Sequence, residues 1–391
     1  MKIKRILALL LCIVVVCASL VGCKQDIADY LESYREQYKP EVVVDLYYDF
    51  YIIVGEGTDE MAMTTVNEKL NQLLYDRYKS KIVMHFISEE DYAQAVKAAA
   101  NSTEAPSIPR GYEYGGKIVL INGMSLLADL QNSLADLKPY LDSNDYNFGT
   151  LKSQIATSLM DAAAYTHVEN EKEVTEVLGI PNNRVVGEYE YILINRDIAV
   201  KKLSYSDANE KSELRQITSL DSEDAQALIA GAVALGYSEE DIIKTAKGSY
   251  KDKAAFEADK TNGDWICNIS KYPSATTEAS YASAFGVVPA ANVVVDGEVV
   301  SDNVARAMEI IYGFNTVAEL KNTLQFGVQN TNFRLDDEGF IHREDYTVEG
   351  NIYNMDISYT GDIFMSYYCE GIWTPDQALN GKKQNLESFA E

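Results

Sequence analysis

The feature that most constrains the fold is an alternation of strand and helix patterns over residues 41–122. Runs of Val, Ile, Leu and aromatic residues, typical of buried strands, occupy residues 41–50, 81–87 and 117–122. Apolar residues recur at helical spacing over 63–77, and Ser88 with Asp91 forms a capping box that begins a second helix. Strand, helix, strand, helix, strand predicts a parallel sheet with covering helices, and therefore an α/β fold.

The amino terminus carries a secretory signal pattern. Three cations among the first five residues precede an apolar run over residues 6–21, and Gly22 and Cys23 follow. The tetrapeptide Leu20-Val21-Gly22-Cys23 resembles the bacterial lipobox, which implies removal of residues 1–22 and lipidation of Cys23. An uncleaved membrane anchor is the alternative, but the run of about 16 residues is shorter than the roughly 20 that a spanning helix needs. Residues 23–40 then form a tether.

Length and charge limit the class of protein. A chain of 391 residues predicts two domains, and 47% hydrophobic with 24% charged residues is ordinary for a globular protein. There are 34 Lys and Arg against 60 Asp and Glu, a formal net charge of −26. Such a balance argues against nucleic acid as a partner, because that binding depends on neutralising phosphates. The charge is otherwise explained by solubility alone.

The cysteines leave one question open. Cys12 and Cys17 lie in the signal segment and Cys23 is the lipidation site, so Cys267 and Cys369 remain for the fold. These two form a disulfide, which an extracellular location permits, or are two buried thiols. Two cysteines and no CxxC motif do not predict a zinc site.

Motifs of catalysis are missing from the sequence. It contains no HExxH, GxSxG or P-loop, and Gly55-Glu56-Gly57 lacks the third glycine of a dinucleotide fingerprint. Residues 142–153 begin like a calcium loop but have Asn147 where that loop requires glycine. We therefore expect no enzyme, no metal and no cofactor. A secreted glycoside hydrolase remains an alternative, since many carboxylates are present, although the sequence nominates no pair.

The predicted strand ends suggest a binding site instead. Ligands of open α/β sheets dock beyond the carboxyl ends of the strands, which are predicted at residues 48–51, Ser88 and Asn122-Gly123. Tyr, Asn and Asp side chains supply the flat apolar faces, amides and carboxylates that suit carbohydrate. The alternative interpretation is structural: Tyr47 or Tyr48 alternates into the core, and Asp49 caps a loop.

Several segments, taken in order, resemble bacterial extracellular solute-binding proteins of ABC importers, in the family-1 or sugar-type group. Besides the lipobox, the resemblance rests on residues 180–183 (IPNN), 187–197 (GEYEYILINRD), 271–273 (KYP), 282–288, 306–315 (RAMEIIYGFN), 324–331 (LQFGVQNT), 359–364 (YTGDIF), Trp373 and 383–385 (KQN).

The resemblance implies a two-lobe, periplasmic-binding-protein-like (type II) fold with a central interlobe cleft. The lobes are expected to be residues 41–187 with 285–325, and residues 188–284 with 326–391. The ligand-binding positions it implies are Tyr48, Asp49, Tyr51, Asn122, Asn183, Trp265 and Tyr359.

The implied function is that of a monomeric receptor, lipid-anchored on the outer face of the cytoplasmic membrane. It would deliver a small solute, an oligosaccharide, to ABC permease subunits. A surface glycan-binding or sensory lipoprotein without transport is the alternative of the same fold.

Overall fold

The computed structural model describes residues 44–102, 107–169, 171–209, 211–258, 263–273, 283–295, 297–343 and 349–388. Beyond Val44, these residues fall into two units: a small one within 292–301, and a large one formed by the rest. The predicted signal segment, the tether and Cys23 lie outside the described residues. No helix in the described ranges combines the length and apolar composition needed to cross a bilayer.

The strands are β1 (Leu46–Ile53), β2 (Ser80–Ile87), β3 (Glu113–Ile121), β4 (Ala164–Glu169), β5 (Lys172–Val177), β6 (Ile180–Pro181), β7 (Tyr189–Asn195), β8 (Ile243–Gly248), β9 (Trp265–Lys271), β10 (Ala284–Pro289), β11 (Val293–Val295), β12 (Glu298–Ser301), β13 (Arg334–Leu335) and β14 (Ile341–His342). The small unit holds the β11–β12 hairpin.

The helices are α1 (Glu60–Tyr78), α2 (Glu89–Ala100), α3 (Met124–Leu130), α4 (Lys138–Asp142), α5 (Leu151–Gln154), α6 (Thr157–Ala162), α7 (Arg196–Lys201), α8 (Glu213–Gln216), α9 (Glu223–Ala234), α10 (Glu239–Ile242), α11 (Tyr250–Ala258), α12 (Asn303–Thr316), α13 (Ala318–Phe326) and α14 (Pro375–Glu387). Short 3₁₀ turns occupy Asn147–Thr150, Ile357–Tyr359 and Ile363–Met365.

The main sheet of the large unit has five strands in the order β2-β1-β3-β10-β6. β1 runs parallel to β2 and β3, and β10 runs antiparallel to β3 and β6. Helices α1 and α2 connect the three parallel strands, so the predicted strand–helix alternation is confirmed. Ser88 caps α2 by accepting a hydrogen bond from the Asp91 amide, as expected.

The bounds of two strands differ from the prediction. β1 continues to Ile53, because the apolar residues Ile52 and Ile53 extend its strand pattern until Gly55 interrupts it. β3 begins at Glu113, before the predicted start at residue 117. Gly115 lies within this strand. A larger residue would not fit there, because a Cβ would lie 2.3 Å from the ring of Tyr48.

One face of the main sheet is the core of this region. Phe50 alternates onto that face, and its ring centroid lies 5.4 Å from that of Phe285 and 5.6 Å from that of Phe314. Helices α1, α12 and α13 pack on this side. The other face of β1 is half-buried.

The region after β3 is broken into short elements. Helices α3, α4, α5 and α6 have between four and seven residues. Between α3 and α4, Asp136 Oδ1 accepts hydrogen bonds from the amides of Lys138 and Val177, both at 2.9 Å. Side-chain bonds of this kind compete with helical hydrogen bonding. The charged segment at 169–176 belongs to the β4–β5 hairpin.

A second sheet has three antiparallel strands in the order β8-β7-β9. Ile192 and Ile194 pack on one of its faces with residues of α7, α8, α9 and α10. Tyr189, Tyr191 and Trp265 pack on the other with residues of α11. Both faces of this small sheet are therefore covered.

The two free cysteines lie in different cores. Cys267 packs in the second sheet, where burial raises the pKa of its thiol to about 12. Cys369 packs against the cluster of Phe326 and Phe333. Both thiols are unpaired, which answers the question left open by the sequence.

Helix α14 holds the connection between the two sheets, residues 184–187. Gln384 Nε2 donates to the carbonyls of Val186 and Gly187, at 2.8 and 2.6 Å. Asn385 accepts from the Val186 amide at 2.9 Å and donates to the Arg184 carbonyl at 3.0 Å. The connecting backbone is thus hydrogen-bonded to a helix at four points.

Residues 349–354 lie against the β1–α1 loop. The Gly55 amide donates to the Asn354 carbonyl, and the Asp59 amide to the Ile352 carbonyl, both at 2.9 Å. Asp59 Oδ2 in turn accepts from the Gly350 and Ile352 amides. This segment is therefore hydrogen-bonded to the loop that follows the first strand of the main sheet. Apolar and Gly-rich turns interrupt the residue pattern after α13. The pattern therefore does not indicate which sheet this segment packs against.

Candidate ligand site at the carboxyl edge of the main sheet

The carboxyl ends of four strands meet at one edge of the main sheet. β1, β2 and β3 are parallel, and β6 has the same direction because both it and β3 run antiparallel to β10. The residues that follow these strands are Val54, Ser88, Asn122 and Asn182, and Ser283 precedes β10 at the same edge. We call this set of strand ends the carboxyl edge.

Tyr359 lies at the carboxyl edge beside Asn122. Its hydroxyl is 3.4 Å from Asn122 Oδ1, a long hydrogen bond, and both residues are half-buried. The 3₁₀ turn that carries Tyr359 is capped by Asp356, which accepts from the Ser358 amide at 2.8 Å. Burial, with the nearby charges of Glu89 and Asp356, raises the pKa of Tyr359, so the hydroxyl stays protonated at neutral pH. Two predicted site residues are thus brought together.

Asn182 and Ser283 continue the carboxyl edge. Asn182 Nδ2 donates to Ser283 Oγ at 3.1 Å, and Ser283 Oγ donates to the Ser358 carbonyl at 2.5 Å. Asn182 is 1% exposed, yet within the described residues its Oδ1 accepts no hydrogen bond. A buried oxygen of this kind is normally satisfied by water or a ligand. Asn182 was missed because the prediction chose its neighbour in the same IPNN segment.

Asn183, another predicted site residue, is hydrogen-bonded within the fold. Its amide nitrogen donates to the Gln154 carbonyl at 2.9 Å and to Asp362 Oδ1 at 3.1 Å. Its amide oxygen accepts from the Ala156 backbone at 3.1 Å. Both of its donor hydrogens are therefore used, and the side chain is 3% exposed.

Tyr48 is also a core residue rather than a ligand contact. It is 0% exposed, and its hydroxyl donates to the Asn303 carbonyl at 2.8 Å. Strand alternation places it on the same face as Phe50, which is the alternative that the sequence left open.

Asp49 and Tyr51 lie on the opposite face, but in the middle of β1. Asp49 accepts hydrogen bonds from His85 Nε2 at 2.9 Å and from the Tyr114 hydroxyl at 2.7 Å. The Tyr51 ring stacks on His85, with centroids 4.4 Å apart. Desolvation is the largest influence on Asp49 and would raise its pKa, but the two hydrogen bonds outweigh it and the pKa is lowered. Asp49, Tyr51, His85 and Tyr114 form a cluster within the strands. None of them is one of the residues that define the carboxyl edge.

Trp265 belongs to the core of the second sheet. It is 7% exposed, and the Lys244 ammonium lies 4.0 Å from its ring centroid. No hydrogen bond or ring contact within the described residues joins it to Asn122 or Tyr359.

Beneath the Tyr359 turn lies a buried cation that the sequence did not single out. Lys321, on α13, is 0% exposed and donates to the Ile357 carbonyl at 3.0 Å and to Thr360 Oγ1. Burial lowers the pKa of Lys321 to about 7 and raises that of nearby Asp362 to about 6. A lysine in an amphipathic helix pattern is expected at the surface, so sequence gave no signal for this position.

A groove of about 550 Å³ lies elsewhere, along the outer edge of β2 beside α1. Its lining includes Met63, Asn67, Asn71, Ile82 and Met84. Asn71 bonds both the amide and the carbonyl of Ile82, and Asn67 bonds the Ile82 carbonyl and the Met84 amide, at 2.7 to 3.0 Å. The amide and carbonyl of Ile82 and the amide of Met84 are therefore already satisfied. In the described parts of the chain, no three His, Cys, Asp or Glu side chains are grouped to hold a metal ion.

The main sheet and the second small sheet belong to a two-lobe, type II α/β fold, which a solved structure shares. The chain is similar to the N-glycan transport solute-binding protein NgtS of Streptococcus pneumoniae, with a TM-score of 0.50 and 14% identity, over 88% of this chain and 83% of that one. The predicted fold class is confirmed.

Two further solved structures give lower scores. NgtS in complex with Man1GlcNAc has a TM-score of 0.48 at 14% identity, over 88% of this chain and 83% of that one. A solute-binding protein from Bifidobacterium longum infantis, described as binding HMO and associated with an ABC transporter, has 0.40 at 12%, over 88% and 84%. No family model and no curated protein matches this sequence. The likeness is one of fold, and it transfers no binding residue.

Proposed function

We propose that this chain is a lipid-anchored extracellular solute-binding receptor that delivers an oligosaccharide to an ABC importer without chemical change. The fold supports a solute-binding role, and the lipobox-like residues 20–23 support the anchor. The main sheet would belong to one lobe and the second sheet to the other, with the ligand held between them. Hinge closure would be driven by ligand contacts in both lobes.

The observation that carries the proposal is the pairing of Asn122 with Tyr359 at the carboxyl edge. An amide and a protonated phenol together offer donors, acceptors and a flat ring face, which suit the hydroxyls and C–H surfaces of a sugar. Both residues are half-buried, so the site is accessible and partly desolvated.

The charges around the pair favour a neutral ligand. Glu89 and Asp356 are the groups whose charges act on the Tyr359 hydroxyl. A ligand that carried its own negative charge would be repelled there, and the net charge of −26 acts in the same direction. A neutral oligosaccharide is repelled neither by these two carboxylates nor by the net charge of the protein.

The experiment is a thermal-shift screen of the purified chain from residue 24 onwards. The panel contains mannose- and N-acetylglucosamine-containing oligosaccharides, human-milk oligosaccharides, xylo-oligosaccharides and short peptides. A ligand present at 100 times its dissociation constant should stabilise the protein by roughly 2.7 kcal/mol. Stabilisation by peptides with none by any sugar would overturn the ligand class.

A parallel assay separates binding from hydrolysis. Each oligosaccharide that shifts the melting temperature is incubated with the protein, and released reducing ends are measured. We expect none above the level of a boiled sample. Release that a single carboxylate substitution abolishes would identify a glycoside hydrolase instead.

A further inference from the structure

Three polar side chains of α13 bind the segment that passes over the carboxyl edge. Lys321 Nζ donates to the Ile357 carbonyl and to Thr360 Oγ1. One helical step along, Asn322 accepts from the Tyr367 amide at 2.7 Å and donates to the Met365 carbonyl at 2.9 Å. A turn after Lys321, Gln325 Oε1 accepts from Ser366 Oγ at 2.8 Å. All three side chains are buried.

Within this set, Lys321 holds the part of the segment nearest to the candidate site. Ile357 and Thr360 flank Tyr359, so the two lysine contacts bracket the residue whose hydroxyl reaches Asn122. Asn322 and Gln325 hold residues further along the chain. The orientation of Tyr359 therefore depends most directly on Lys321.

A buried ammonium group is a costly way to hold a turn. Removal of a charge from water is repaid only by close partners, and an uncharged side chain such as Gln325 performs a similar task nearby without that cost. The negative groups that face Lys321 are Asp362 and Asp356, both on the 356–366 segment.

Other charged groups bear on Lys321 less directly. Asp362 is also influenced by Lys382 of α14. On the α1 side, Glu319 pairs with Lys69 and Arg77 at the surface. Asp362 and Asp356 are therefore the charged groups that act on Lys321 itself.

We propose that Lys321 is a positioning residue of the ligand site, whose charged ammonium group keeps Tyr359 against Asn122, so that solute affinity falls as this lysine loses its proton. The proposal rests on the proposed function. It adds a residue that touches no solute, and a dependence of affinity on pH.

The direction of the pH effect follows from the contacts. Burial lowers the pKa of Lys321 to about 7, so the charge is lost on the alkaline side of neutrality. A neutral amine makes weaker bonds to the Ile357 carbonyl and Thr360, because charge-assisted hydrogen bonds are roughly twice as strong as neutral ones. The turn then loosens, and Tyr359 is less well placed.

The test is calorimetric titration of the oligosaccharide with the largest thermal shift, from pH 6.5 to 8.5. Wild-type affinity should fall about tenfold over this range, a change of 1.4 kcal/mol. Lys321→Met should bind about tenfold more weakly at pH 6.5 and show no further fall. Lys69→Met, a surface change on the neighbouring helix, should follow the wild type. Equal affinity and an equal pH profile for Lys321→Met and wild type would refute the positioning role.

Two further measurements test the proposal if Lys321→Met does not fold or if no oligosaccharide binds. If Lys321→Met does not fold, Thr360→Val removes one lysine contact and should reduce both affinity at pH 6.5 and the pH-dependent change. Without any ligand, ¹⁹F NMR of 3-fluorotyrosine-labelled protein reports on Tyr359, whose signal is assigned by its loss in Tyr359→Phe. That signal should move with pH in wild type and stay fixed in Lys321→Met. A fixed wild-type signal contradicts the proposal, whereas absence of sugar binding with a moving signal contradicts only the proposed function.

Discussion

The hydroxyl of Tyr359 lies 3.4 Å from the side-chain oxygen of Asn122, although 237 residues separate them in sequence. Asn122 ends a strand of the main sheet, and Tyr359 is brought to it by a capped 3₁₀ turn. The pair unites two residues that the sequence nominated independently, and it defines where a solute is expected to dock.

The first prediction separates binding from stability with two tyrosines. Tyr359→Phe removes a half-exposed hydroxyl and should weaken oligosaccharide binding about tenfold while changing the free energy of unfolding by less than about 1 kcal/mol. Tyr48→Phe removes a buried hydroxyl that donates to Asn303. It should cost about 1 to 2 kcal/mol of unfolding free energy and leave affinity unchanged. Urea unfolding and calorimetric titration measure the two quantities. The reverse pattern would place the ligand elsewhere.

A second prediction concerns the edge of β2. Asn67 and Asn71 bind the amide and carbonyl of Ile82 and the amide of Met84, backbone groups that are otherwise a template for pairing with another chain. Replacement of both asparagines by alanine should cost about 2 to 4 kcal/mol, since buried backbone groups lose their partners. It should also produce dimers or larger species in size-exclusion chromatography with light scattering.

The matched control for the β2 edge is Thr64→Ala. Thr64 lies on the same helix, and its hydroxyl donates to the carbonyl of Glu60, one turn earlier. It should remain monomeric with near wild-type stability. A double asparagine variant that behaves in the same way would show that the edge needs no such protection.

A third prediction is a pH dependence of stability from Asp362. Burial raises its pKa to about 6, above the ordinary 3.8, so the folded state binds this proton more tightly than the unfolded state. The resulting stabilisation is complete below pH 3.8 and is lost as the pH rises through 6. Asp362→Asn mimics the protonated form and should exceed wild type in stability above pH 6, by on the order of 1 to 3 kcal/mol.

The measurement for Asp362 is urea unfolding of both proteins at pH 4, 5, 6 and 7. The difference in free energy between them should grow across this range. A difference that is independent of pH would mean that Asp362 keeps an ordinary pKa in the folded protein.

A fourth prediction tests the anchor. Full-length chain expressed in bacteria should incorporate an alkynyl fatty acid, and Cys23→Ala should abolish the label. Cys17→Ala, within the apolar run, should retain it. Equal labelling of the two variants would exclude Cys23 as the lipidation site.

The local parts of the fold could be predicted from sequence because they depend on local patterns. The alternation of strands and helices over β1, β2 and β3, and the cap at Ser88, follow from residue spacing alone. The end of β1 could not be placed, since Ile52 and Ile53 continue its apolar pattern. Tyr48 to Tyr51 were therefore taken for a strand end although they lie mid-strand.

The candidate site was harder to predict because it depends on distant pairings. Asn182 and Asn183 are adjacent and chemically identical, and only the partners of Asn183, which are Gln154, Ala156 and Asp362, show that it is structural. Lys321 carries no sign of burial in its helical pattern. Its role follows from a segment 36 residues further along the chain.

The measurement that tests the central claim most directly is calorimetric titration of the best oligosaccharide into wild type, Asn122→Ala and Thr64→Ala at pH 6.5. The account predicts that wild type and Thr64→Ala bind one molecule with equal affinity, and that Asn122→Ala binds at least about tenfold more weakly. Wild-type affinity in Asn122→Ala would contradict a ligand site at the carboxyl edge.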